Sequence, residues 1–112
     1  MTKSKKVTKG LGASSGVVRG PARVVLDLSD LKKVKDGDIL IIRSSTPHIV
    51  SCLRLVRGIV TDMGGITSHA AIIAREAGLP CVVGTTNATR ILKDGMLIFV
   101  NGYNGQIYRV NK

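Results

Sequence analysis

Three short runs of apolar residues punctuate the middle of the chain: ILIIR (39–43), GIVTD (58–62) and CVVG (81–84). Each is rich in β-branched residues and too short for a helix, which predicts strands buried on both faces. Between the first two lies SSTPHIVSCLRLVRG. Pro47 near a first helical position and the spacing of Ile49, Cys52, Leu53 and Val56 predict a helix ending before Gly58. Between the second and third lies GGITSHAAIIAREAGLP (64–80). Ser68 or Thr67 is a natural N-cap, and Gly78 and Pro80 are natural stops, so a helix is predicted over about His69 to Ala77. Its stripe of Ala70, Ile73, Ala74 and Ala77 would face the strands closely. Strand, helix, strand, helix, strand at these lengths implies right-handed parallel crossovers.

The flanks read differently. GLGASSGVVRGPARVVLDL is a glycine-punctuated turn entering a strand at about Ala22 to Leu28, and DLKKVKDGD is an exposed turn. Near the C-terminus NATRILKDG suggests a short helical turn. MLIFV and QIYRV suggest strands joined through NGYNG, whose Asn and Gly residues suit a hairpin. The fold class is therefore α/β, a small parallel sheet plus antiparallel strands. The opening MTKSKKVTKG, with four lysines and little apolar content, reads as a basic flexible leader over residues 1–11, with a single domain over 12–112.

Composition narrows the function classes. At 44% hydrophobic over 112 residues the chain supports one modest core. No apolar run approaches the length of a bilayer, and the N-terminus lacks a signal-peptide core, so a cytoplasmic location without membrane partners is expected. Cys52 and Cys81 lie in apolar surroundings without zinc-site spacing and read as buried free thiols; no metal site is expected. The formal net charge of +10 favours anionic partners: nucleic acid, phosphorylated metabolites or an acidic protein surface.

His69 occupies the predicted first turn of its helix, where free N–H groups and the positive dipole end attract anions and disfavour a positively charged ring. A neutral imidazole there offers a lone pair for in-line attack on phosphorus. The helix N–H groups, that of Ala70 included, and the Thr67 and Ser68 hydroxyls offer donors for phosphate oxygens. Gly64 and Gly65 carry no side chains to obstruct a bulky donor. Against this stands the plainer reading of a solvated surface histidine. Asp62 either orients the imidazole, binds a partner's cation, or plays a plain capping or turn role. Arg75, roughly 240° around the helix from His69, need not touch the same ligand, and His48 is expected to be exposed without a chemical role.

The stretch TDMGGITSHAAIIAREAGLPCVVGTTNATRILKDG closely resembles the signature of the phosphohistidine, or mobile, domain of phosphoenolpyruvate (PEP)-utilising enzymes such as PEP synthase and pyruvate phosphate dikinase. GASSGVVRGPA is similar to that family's glycine-rich entry. The resemblance implies a swivelling three-layer β/β/α domain whose histidine, here His69, is transiently phosphorylated, with Thr67 supporting the imidazole. It also implies partners: an ATP-grasp domain that charges the histidine and a barrel domain that binds pyruvate or PEP. Magnesium and ATP are expected on those partners, with no cofactor held by this chain alone. Two positions depart from the family pattern, Ser15 for a proline and His48 for an acidic residue after Thr-Pro, and both bear on partner docking.

Two rival classes remain at this point, a small basic nucleic-acid-binding protein and an anion-binding scaffold without covalent chemistry. Aromatic content is 3%, with no Trp and one Phe, so stacking platforms are scarce and nucleic acid is the weaker rival.

Overall fold

The computed structural model describes residues 3–111. Eight strands occur in the order β1 (Lys3–Lys9), β2 (Leu11–Ser14), β3 (Val17–Val25), β4 (Ile39–Ile42), β5 (Gly58–Thr61), β6 (Cys81–Val83), β7 (Leu97–Asn101) and β8 (Gln106–Asn111). Two α-helices interrupt them, α1 (His69–Ala77) between β5 and β6 and α2 (Ala88–Ile91) between β6 and β7. Spatially the strands run β1-β8-β7-β3-β4-β5-β6-β2.

The uninterrupted apolar runs follow from burial on two sides. Strands β3, β4, β5 and β6 pair in parallel, and alternate residues point to opposite faces. Leu40, Ile42, Ile59, Cys81 and Val83 share one cluster with Ala70, Ala71 and Ala74 of α1. Ile39, Ile41, Val60 and Val82 share another with Leu92, Ile98, Val100 and Ile107. Helix α1, the parallel strands and the antiparallel strands thus stack in three layers, with α2 packed on the inner side among the residues of the second cluster.

Strand β3 belongs to two of them. Its Val17–Pro21 half pairs antiparallel with β7, and its Ala22–Val25 half pairs in parallel with β4. At the changeover the chain passes so close to the Gly37 carbonyl that a Cβ on Gly20 would stand 2.7 Å from it.

Helix α1 coincides with its predicted span and closes on Gly78, whose φ of 73° suits glycine and whose N–H reaches the Ala74 and Arg75 carbonyls. Ala71 is buried, whereas Ala77 is exposed on the last turn. Three other expectations are corrected. The leader is not loose: Lys3–Lys9 is an edge strand paired antiparallel with β8, so the folded unit begins before residue 12. Backbone bonding needs no apolar side chain, and Val7 supplies an anchor against the inner cluster while Lys5, Lys6 and Lys9 face solvent. The helix predicted after β4 shrinks to a 3-10 turn, Pro47–Cys52. Past it, the Leu55 carbonyl accepts from Gly37 N–H (2.7 Å) and Arg57 N–H donates to the Asp38 carbonyl (2.9 Å), pulling the chain off a helical path into β5. The exposed turn after β3 contains a second 3-10 segment, Leu28–Lys33.

Both cysteines are free and buried. Burial pushes the Cys81 thiol up to about 12 and raises that of Cys52, so neither is a reactive thiolate at neutral pH. Among the described residues no helix is long and apolar enough to cross a membrane.

Candidate functional site

The chain leaving β5 is held on both flanks before it reaches the histidine. On one side Asp62 N–H donates to the Ile42 carbonyl (3.1 Å) and Met63 N–H to that of Arg43 (2.9 Å). On the other, Thr85 N–H reaches the Thr61 carbonyl (3.1 Å) and Thr86 N–H that of Asp62 (2.8 Å). The Thr61 hydroxyl closes the strand end on the Met63 carbonyl at 2.6 Å. Gly64 then turns the chain with φ of 109°, a conformation that favours glycine. Gly65 is different: a Cβ there would meet nothing within 4 Å, so its bareness serves open space and not packing.

Ser68 is the N-cap of α1, with extended φ and ψ, and its carbonyl accepts from Ile72 N–H at 3.0 Å. Its hydroxyl is buried and has no hydrogen-bond partner, an uncommon state for a cap residue. Ala70 is 2% exposed; its small side chain draws that residue against the sheet. Just before it, Ile66, Thr67 and His69 are exposed residues whose N–H groups make no hydrogen bond among the described residues. An anion reaching this terminus meets those donors first.

His69 is exposed, and Ser45 Oγ lies 2.7 Å from its Nδ1. Ser45 sits just past β4, and the parallel pairing of β4 with β5 brings that loop beside the start of α1. When the hydroxyl accepts, Nδ1 holds the proton and Nε2 carries the free lone pair. Ser45 thus meets the ring at Nδ1, while Thr67 stands exposed in the turn before the cap.

Other candidates fall away from the ring. The Asp62 carboxylate accepts from Thr89 N–H (2.9 Å) and Thr89 Oγ1 (2.5 Å), so it anchors the start of α2. Arg75 donates to the Ala13 carbonyl at 2.8 Å and ties α1 to β2. His48 is exposed in the 3-10 turn. Beside Ser45 a cleft of about 390 Å³ opens among Leu26, Leu28, Arg43, Ser44, Thr46 and Ile49. Like His69, it lies at the carboxyl ends of the parallel strands, where open α/β sheets receive ligands. Among the described residues no three His, Cys, Asp or Glu side chains stand together as metal ligands, and hydroxyls and amides around His69 suit phosphate oxygens, not magnesium.

A family profile, described as PEP-utilising enzyme, mobile domain, matches residues 34–105. The chain belongs to that family. Over 103 residues the mobile domain is 50% identical to phosphoenolpyruvate synthase of Pyrococcus furiosus, covering 92% of this chain and 13% of the synthase. Over 98 residues it is 48% identical to rifampicin phosphotransferase of Bacillus cereus, covering 88% of this chain and 11% of that protein. The chain therefore spans a small fraction of the relatives it matches, and in them the mobile domain is one part of a longer protein. Among solved structures it resembles an Enzyme I protein, nEIt, with TM-score 0.59 and 38% identity over 69% of this chain and 32% of that one. The α/β fold recurs in aconitase X of Thermococcus kodakaraensis, with TM-score 0.68 and 18% identity over 96% of this chain and 99% of that one.

Proposed function

We propose that this mobile domain is a phosphoryl carrier, charged on His69 Nε2 by a nucleotide-binding partner and discharged to a partner that handles pyruvate or PEP. The observation that carries the reading is the exposed ring, oriented at Nδ1 by Ser45 so that Nε2 is left for chemistry. In the charging step the Nε2 lone pair attacks the donor's terminal phosphorus. A P–N bond forms while the bridging P–O bond breaks, and the departing oxygen keeps the electron pair. Positive charge developing on the imidazole is shared onto Nδ1–H, which donates to Ser45 Oγ. The amides of Thr67 and His69 and the Thr67 hydroxyl receive the phosphate oxygens, and the Ser68 hydroxyl, unpartnered beneath them, turns to add a donor. Discharge reverses the electron flow: an acceptor oxygen attacks phosphorus and the pair returns to Nε2. In this reading magnesium and ATP are held by the partner domains.

Incubating the chain with the ATP-grasp domain of a PEP synthase, ATP and magnesium is expected to add one phosphoryl group by intact mass, labile in acid and stable in base. A chain that stays unmodified while the partner hydrolyses ATP overturns the reading. Ser45→Ala is expected to slow charging by about tenfold to a hundredfold, the effect of losing a hydrogen bond to a group that becomes charged. Ser45→Thr should recover most of the rate. Unchanged charging kinetics and pH profile in Ser45→Ala would remove that residue from the mechanism.

A further inference from the structure

We propose that the outer face of the antiparallel layer binds single-stranded nucleic acid, at a site separate from the histidine. The strand register sets the argument. Lys6 of β1 lies opposite Tyr108 of β8, Tyr108 lies opposite Phe99 of β7, and Phe99 lies opposite Arg19 of β3. Paired residues share a face, so cation, ring, ring and cation form one row across four neighbouring strands. Ile98, Val100 and Ile107 point the other way into the core, which turns this row toward solvent. Lys6 and Arg19 are exposed, and both rings are half-buried. The ring centroids stand 6.1 Å apart with planes tilted by 57°.

Strands β1, β3, β7 and β8 contain no Asp or Glu. Lys6 and Arg19 lie on the face of the row, whereas Lys5 and Arg109 fall in register with core residue Ile98 on the opposite face and Arg23 is paired with Asp38 at 2.9 Å. Lys9 pairs with Gln106, two residues along β8 from Tyr108 and on the same face, and extends the cationic rim. Lysines on an edge strand also prevent pairing with a second sheet. That role accounts for β1 alone; it does not explain Arg19 on an interior strand or two of the chain's three aromatic rings on a solvent-facing surface.

Single-stranded nucleic acid fits this chemistry because bases stack on the solvent-facing sides of these half-buried rings while cations on either side track the phosphates. A sheet face of this kind needs few aromatics, so scarcity in the composition does not argue against it. An acidic protein surface would use the cations and leave the rings idle, and that difference is testable.

The test is fluorescence anisotropy of the full chain with a labelled 12-nucleotide oligo-dT or oligo-U strand, across a salt series. Binding is expected at low salt, weakening as salt rises. Tyr108→Leu, which keeps an apolar contact on Phe99 and removes the ring, should weaken it about tenfold. Arg19→Gln should lower the salt slope by about 0.7. His69→Ala should bind as the parent does, since the two sites are on different layers. Failure to bind at low salt overturns the proposal. So does binding that Tyr108→Leu leaves intact, or that polyglutamate matches at equal charge, since either result marks a surface for acidic proteins.

Discussion

His69→Ala is expected to accept no detectable phosphoryl group under conditions that charge the parent chain fully. The loss follows from chemistry, since alanine offers no lone pair, and the exposed Thr67 hydroxyl is a far weaker nucleophile at neutral pH. Folding should be spared. His69 is exposed at the first position of α1, where a surface substitution shifts stability by about 0.5 kcal/mol or less and alanine favours a helix. The measurement is intact mass after incubation with the nucleotide-binding partner, beside a thermal melt by circular dichroism. A full-size adduct on His69→Ala with an unchanged melt would place the acceptor elsewhere.

Gly102→Ala is expected to be strongly destabilising for a change of one methyl. Gly102 follows β7, and a Cβ there would stand 2.0 Å from the Ser14 carbonyl oxygen, 3.0 Å from that of Gly16 and 3.2 Å from Cys81 N. All three are backbone atoms, so no side chain can swing aside. Relief requires the β7–β8 connection to move off the end of β2, lengthening the 2.7 Å bond from Gly102 N–H to the Gly16 carbonyl. Overpacking with a lost hydrogen bond amounts to about 3 kcal/mol or more, enough to lower the melting temperature by about 12 °C or more in a domain of this size. Gly65→Ala is the control: its Cβ would meet nothing within 4 Å, and the melt should not move. Equal melting temperatures for Gly102→Ala and the parent would show that the close approach is not required.

Local signals carried most of the architecture. The apolar runs at β4, β5 and β6 and the Ser68 to Gly78 punctuation of α1 lie within a few residues of each other, and there the reading of the chain and the structure agree. What escaped was decided at a distance. β1 carries almost no apolar signal, because an edge strand can be held by backbone bonds to β8 and one partly buried valine. The helix expected before Gly58 has the right periodicity, but bonds tying Leu55 and Arg57 to the distant Gly37 and Asp38 end it after Cys52. At the site, His69, the glycines and the hydroxyls were visible in one contiguous motif. Ser45 was not, since it reaches the ring across 24 residues through a strand pairing. Of the roles open to Asp62 from sequence, the fold takes the capping one, at the start of α2 through Thr89, which lies 27 residues away. The row on the outer sheet face draws one residue from each of four strands, so no window of sequence contains it.

Because β3 contributes one half to each sheet, its hydrogen bonds stitch the parallel layer to the antiparallel one along a single piece of backbone. Neither layer has a seam along which to peel away while the other stays intact, so melting is expected to be a shared event. Under the proposed function, such a domain would travel as a stiff body, with the bending confined to whatever tethers it.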